Sequence, residues 1–178
     1  MIIQKTPIQN AFILKPKKFN DNRGYFEKQF CNNLYKKKNL NIIWKQINKS
    51  SNKKKYTFRG MHFQKKPFTE IKIVQCIKGK ILDVIFDMRK NSQSFLKSYS
   101  IQLSEKKNEL LYLPAGVAHG YLTLTDNVEL MYFHSKIYSM KHSSGVNIME
   151  KKIKFKFKKK IRKISLIDKK LKFLNEVQ

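Results

Sequence analysis

Short runs of apolar residues, broken every few positions by turn signals, fill the middle of this chain. Residues 71–77 form a β-branched run closed by Lys78-Gly79-Lys80. Residues 81–88 resume it with Leu82, Val84, Phe86 and Met88 on one face, and the pair predicts a β-hairpin. Further on, residues 110–113 run into the turn Pro114-Ala115-Gly116, residues 121–124 follow, Asp126-Asn127 turns the chain, and residues 128–134 return. Long helical periodicity is absent here, and many short strands at close spacing predict an all-β sandwich or barrel of the jelly-roll kind.

Outside this block, residues 32–40 (NNLYKKKNL) predict a short helix. From Lys151 the chain alternates, with Ile153, Phe155 and Phe157 on one face and lysines between them, which predicts a lysine-protected edge strand with a less ordered end. Residues 151–178 carry 12 basic and 2 acidic side chains, and charge runs of this kind are usually solvated. With 178 residues and no composition shift before this tail, we expect one domain spanning 1–178, with 151–178 a diverged basic tail.

The formal charge of +27 raises the question of nucleic acid, and its make-up argues against it. Of 39 basic residues only 4 are arginine, whereas base and groove recognition relies on arginine's paired donors. Lys, Ile and Asn together fill 68 positions, and their shared A/T-rich codons account for much of the charge. The positive field still favours anionic metabolites. Cys31 and Cys76 lack CxxC spacing and read as buried free thiols of a reducing compartment. With no signal-peptide pattern and no apolar run long enough to span a bilayer, a cytoplasmic location without membrane contact is expected.

Several polar residues fall where apolar ones are expected. The segment FRGMHFQ (58–64) carries Arg59 and His62 within a strand-like run. Lys72 lies between Ile71 and Ile73, so its ammonium must reach solvent or meet an anion. His119 follows the turn at Pro114, and Tyr132 shares strand parity with Val128 and Leu130, which turns its hydroxyl inward. In a regular strand residues 59 and 62 face opposite ways, so a bulge at Gly60 is expected if both enter one pocket.

These pieces, in order, resemble the dTDP-4-dehydrorhamnose 3,5-epimerase family of cupin-fold nucleotide-sugar enzymes: DNRGYF (21–26), QINKS (46–50), FRGMHFQ, EIKIVQCIKG (70–79), DVIFDMRKNSQSF (83–95) and LYLPAGVAHGYLTL (111–124), then Tyr132 and Tyr138. The resemblance covers residues 6–148. It implies a cupin-type jelly roll with short peripheral helices. It also implies inversion at C3 and C5 of a dTDP-4-keto-6-deoxyhexose, with no metal or other cofactor. By resemblance His62 is the base, Asp168 its orienting partner, Tyr132 the opposing acid, and Lys72 the cation near the enolate oxygen. Arg23 and Arg59 match the diphosphate clamps, with Glu27, Gln46 and Asn48 also on the substrate side. Tyr138 would stack on the base and His119 line the sugar pocket. Family members are usually homodimers in which a strand near residues 19–30 completes the neighbour's site.

The chain departs from the family pattern in places. Lys28 stands where many members carry glutamate, with Glu27 before it, and GVNIMEKK replaces the usual tryptophan-asparagine-aspartate. Asp168 is assigned from ISLIDKK in the diverged tail, with Asp83 the alternative partner. Three rivals remain on the residues alone: a metal-dependent cupin using His62, His119 and Glu70, a mono-epimerase or 3,4-ketoisomerase, and a non-catalytic sugar-nucleotide-binding cupin.

Overall fold

The computed structural model describes residues 1–40, 42–154, 157 and 160–177. In chain order the elements are β1 (Ile2–Lys5), β2 (Phe12–Lys15), β3 (Lys18–Asp21), β4 (Gly24–Glu27), α1 (Asn32–Lys36), β5 (Gln46–Asn52) and β6 (Thr57–Gln64). They continue with β7 (Lys72–Lys78), β8 (Lys80–Asp87), β9 (Ser98–Ser104), β10 (Leu110–Leu113), β11 (Val117–Thr123), β12 (Val128–His134) and β13 (Ser143–Gly145). The C-terminal segment adds β14 (Lys163–Ile164), α2 (Leu166–Lys169) and α3 (Leu174–Val177).

Two sheets face each other, one in the order β1-β2-β10-β7-β12-β5 and the other β13-β6-β11-β8-β9, with β14 also on β6. The predicted hairpin of residues 71–88 is therefore not one: β7 and β8 belong to different sheets, and so do β11 and β12. The connections are arches. At Gly79 the backbone has φ +77°, and an added Cβ would meet Thr125 Oγ1 at 2.6 Å, so the chain turns from one sheet to the other in a space only glycine fits. Sequence alternation is the same for a hairpin and for an arch, because each strand has one inner and one outer face in both.

Between the sheets lies a core of Ile13, Val74, Cys76, Ile81, Ile85, Leu103, Leu111, Val128 and Leu130, with Tyr132 packed against it as its parity predicts. The outer faces are covered too. On one sheet Leu14, Ile73, Leu110 and Tyr112 pack with Tyr35 of α1 and with Leu40 and Ile42. On the other, Phe58, Met61, Val84, Phe86 and Leu122 pack with Val146, Ile153 and Leu174, joined by Phe157, Ile161 and Ile164. Burying that second set at about 25 cal/mol per Å² makes the C-terminal segment a wall of the fold.

Within the run expected to form an edge strand, the described residues that pair are Lys163 and Ile164, which form β14, parallel to β6 at Thr57 and Phe58. Phe155 and three of its neighbouring lysines lie outside the described residues. Ile153, Phe157 and Ile161 help to cover a sheet face, which needs no strand pairing. Cys31 and Cys76 are free thiols, Cys76 buried and Cys31 half-buried. No helix among the described residues is long and apolar enough to cross a membrane.

Candidate active site

The break expected in β6 is present. His119 of β11 pairs with His62 and Tyr121 with Arg59, so two residues of β6, Gly60 and Met61, oppose the single Gly120. Gly60 has φ +123°, and a Cβ there would lie 2.5 Å from Gly120 Cα, which leaves glycine as the fitting residue. The bulge restores parity: Arg59 and His62 both line one cleft of about 480 Å³ between the sheets, while Phe58 and Met61 turn to the outer core.

The bulge also sits in a gap on the far edge of β6. β13 pairs with residues 62–64 and β14 with 57–58, so the Gly60 N–H has no strand partner. It donates instead to Asp168 Oδ2 at 3.0 Å, and His62 Nε2 meets Asp168 Oδ1 at 2.8 Å. Asp168 is placed by local chemistry. Ser165 caps α2 by accepting from the Asp168 N–H, and the Asn147 amide donates to Lys169 O and Leu171 O behind the turn. Burial would raise the Asp168 carboxyl, but the hydrogen bonds from His62 and Gly60 outweigh it and hold its pKa below the usual range. The diverged tail thus delivers Asp168 to the predicted imidazole, and His62 Nδ1 has no protein partner among the described residues.

Asp83, the alternative partner, is bound to the other histidine: His119 Nε2 lies 2.7 Å from Asp83 Oδ2. Its second oxygen is buried without a partner, and complete burial raises its pKa despite His119. Glu70 is taken by a third histidine, His134 Nδ1 at 2.9 Å, and by Lys72 at 3.0 Å. Among the described residues no three or more His, Cys, Asp or Glu side chains are grouped so that they could hold a metal ion, which leaves His62, His119 and Glu70 short of the set the metal-dependent rival requires.

Tyr132 faces the cleft from the opposite sheet. Its hydroxyl lies 3.1 Å from Ser50 Oγ, which lies 3.2 Å from the Tyr121 hydroxyl, which accepts from Asn52 Nδ2 at 3.0 Å. An amide N–H only donates, so the Tyr121 oxygen accepts from Asn52, and the three hydroxyls of Tyr121, Ser50 and Tyr132 form one connected network that reaches the cleft. Burial, together with Tyr121, pushes the Tyr132 pKa well above the ordinary phenol value, with the Ser50 hydrogen bond opposing, so the phenol is in its proton-donating form at neutral pH.

Of the other predicted residues, Lys72, Asn48 and Arg59 line the cleft, and Arg59 has no carboxylate partner among the described residues. Tyr138 borders an adjoining cleft that shares Arg59, His62, Lys72 and His134, and its N–H donates to Gln46 Oε1 at 2.9 Å. Gln64, the last residue of FRGMHFQ, is buried and holds the 137–139 loop by accepting from Ser139 N and donating to Ile137 O.

Arg23 and Glu27 are not at this cleft. Arg23 is paired with Asp21 at 2.6 Å in the β3–β4 ribbon, which pairs only with itself, and its side chain is exposed. Glu27 accepts from the Gln29 and Asn108 amides and does not line the cleft. Sequence reasoning assigned no role to Ser50, Tyr121 or His134, although QINKS, AHGYL and VELMYFH hold them. Their alternation with apolar neighbours on inward positions was the available signal.

Residues 5–176 match the family described as dTDP-4-dehydrorhamnose 3,5-epimerase. A protein of that name from Sinorhizobium fredii is 35% identical over 146 residues, 82% of this chain and 75% of its own length. The crystal structure of a dTDP-4-dehydrorhamnose 3,5-epimerase from Bacillus anthracis, with TDP and PPi bound, superposes with TM-score 0.94 at 32% identity, covering 97% of this chain and 99% of that one. A dTDP-6-deoxy-D-glucose-3,5-epimerase from Legionella pneumophila in complex with dTDP-4-keto-L-rhamnose gives TM-score 0.92 at 25% identity, covering 99% and 94%. This chain belongs to the dTDP-4-dehydrorhamnose 3,5-epimerase family.

Proposed function

We propose that this chain inverts C3 and C5 of dTDP-4-keto-6-deoxyglucose through an enolate, with His62 as base and Tyr132 as acid. The 4-keto group acidifies the hydrogens on both neighbouring carbons. His62, oriented and supported by Asp168, removes one proton and becomes imidazolium, and the electron pair moves onto the C4 oxygen. Lys72 stabilises the oxyanion that develops there. Tyr132 returns a proton to the opposite face of the carbon, which inverts it, and exchange with water resets both side chains. The observation that carries this reading is that His62, paired with Asp168, on one sheet and the Tyr132 hydroxyl on the other face one cleft.

Arg59 takes the diphosphate through its paired donors, with Gln46, Asn48 and Tyr138 toward the nucleoside and His119 against the sugar. The exposed Phe19, Tyr25 and Phe26 on the β3–β4 ribbon support a homodimer in which a second copy's ribbon brings Arg23 to the cleft. The free thiols support a cytosolic enzyme.

Incubation with dTDP-4-keto-6-deoxyglucose in deuterated water, followed by NMR, tests the proposal. Deuterium enters both C3 and C5, and His62→Ala abolishes it. Label at one carbon alone would make the protein a mono-epimerase. Binding without label at either carbon would overturn the catalytic reading.

A further inference from the structure

One set of contacts runs from the nucleoside end of the cleft to Lys72. The Tyr138 N–H donates to Gln46 Oε1 at 2.9 Å, Gln46 Nε2 donates to Asn48 Oδ1 at 2.9 Å, and Asn48 Nδ2 faces His134 Nε2 at 3.5 Å. His134 Nδ1 meets Glu70 Oε2 at 2.9 Å, and Glu70 Oε1 holds the Lys72 ammonium at 3.0 Å. Register explains the assembly: His134 lies opposite Gln46 on one side and Lys72 on the other.

The polarity of this chain follows from its first member. A backbone N–H can only donate, so Gln46 presents its oxygen to Tyr138 and its nitrogen to Asn48. Asn48 then presents its nitrogen to His134, so Nε2 holds a lone pair and the ring proton is on Nδ1, where a carboxylate receives it. Burial would raise the Glu70 carboxyl, but the bonds from His134 and Lys72 outweigh it, and it stays ionised. Glu70 is buried, with side-chain exposure of 6%, as is the Lys72 side chain at 11%. In so dry a site the division of the carboxylate between two donors decides where the lysine points.

We propose that His134 is a positioning residue for Lys72: by occupying one oxygen of Glu70 it keeps the carboxylate from closing wholly on the ammonium, and it ties that arrangement to Gln46 and Asn48 at the nucleoside end. This rests on the proposed epimerase reading for its consequence. Without the His134 donor, Glu70 has one strong partner and draws the ammonium away from the cleft. Less cation then faces the developing oxyanion, and the loss falls on kcat. Asparagine places its amide nitrogen where Nδ1 stands, and so restores the donor to Glu70 without the second nitrogen.

The test compares His134→Leu with His134→Asn. His134→Leu lowers kcat about 10-fold, the scale of one hydrogen bond to a charged group, with KM changed less than about twofold. His134→Asn recovers most of that kcat. Equal losses in both variants, a loss in KM alone, or no loss in His134→Leu would each overturn the proposal. Long-range ¹H–¹⁵N correlation of the wild-type protein reads the tautomer directly and does not depend on turnover. The Nδ1–H tautomer is expected for His134, and an Nε2–H tautomer would overturn the proposal even if the epimerase reading stands. Absence of turnover by wild type with the Nδ1–H tautomer in place would overturn the epimerase reading and leave the arrangement of His134, Glu70 and Lys72 as described.

Discussion

The cleft contains two histidine–aspartate pairs on facing positions of β6 and β11, almost equal in length and opposite in electrostatics. His62 meets Asp168 at 2.8 Å and His119 meets Asp83 at 2.7 Å. Asp168 also receives the Gly60 N–H, and its pKa falls; Asp83 is fully buried with one oxygen unpartnered, and its pKa rises. The rings differ as well, since the His62 side chain is 40% exposed and that of His119 is 7% exposed. A short contact between two residue types therefore does not define a catalytic pair. What separates them is the number of donors on the carboxylate and the access of the imidazole to a substrate.

The comparison breaks if the two histidines turn out equivalent. His62→Ala should lower kcat for C3 and C5 exchange by about 100- to 10,000-fold, the usual share of a general base. His119→Ala should cost about 10-fold, the loss of one hydrogen bond or packing contact with the sugar. Equal losses in the deuterium assay would move the base from one pair to both.

A smaller effect separates the carboxylates. Asp168→Asn removes the charge that orients His62 and supports its protonated form, and kcat should fall about 100-fold with the fold kept, as read by circular dichroism. Asp83→Asn keeps a hydrogen-bonding group beside His119, in the pair that does not carry the proton transfer, so kcat should stay within about 3-fold of wild type. A larger loss in Asp83→Asn than in Asp168→Asn would reverse the roles.

Much of this was legible in the sequence, and the exceptions share a cause. FRGMHFQ with its glycine implies the bulge, and the parity of VELMYFH turns Tyr132 inward, because both depend on residues adjacent in sequence. The residues 71–88 hairpin failed because alternation does not say which sheet the next strand joins. The tail's packing was not legible because Ile153 and Leu174 are specified by a sheet face more than 60 residues earlier, at Val84 and Phe86. Arg23 and Glu27 carry the motif yet sit on a ribbon that leaves this chain's cleft, and no spacing rule reveals that. Ser50, Tyr121 and His134 acquire roles only through cross-strand neighbours.

Stability against pH sharpens the contrast further, since the two carboxylates act with opposite sign. Asp168 has a lowered folded pKa, so its contribution is full above the ordinary carboxylate value of about 4 and is lost as pH falls through the lowered value. Asp83 has a raised one, so its ionisation costs stability as pH rises from about 4 through the raised value. Urea midpoints from about pH 3 to pH 7 should show Asp168→Asn flattening the acid side and Asp83→Asn flattening the upper part. The same change in both variants would mean the pairs share one environment.

The least perturbing change concerns the acid rather than the base. Tyr121 follows His119 by two residues in β11, and its hydroxyl connects that buried side of the cleft to Tyr132 through Ser50. Tyr121→Phe keeps the ring and removes one oxygen. Asn52 Nδ2 then loses its acceptor, at a cost of about 1 kcal/mol in stability, measurable as a lower urea midpoint. Ser50 Oγ keeps only Tyr132 as a hydroxyl partner, so the network that holds the phenol in the cleft loses a member. The expected loss in kcat is about 3-fold, smaller than for the carboxylates because the hydroxyl acts at one remove. An unchanged kcat with the lowered midpoint would make Tyr121 a packing residue whose hydroxyl serves Asn52 alone, and would leave Ser50 as the group that orients the acid.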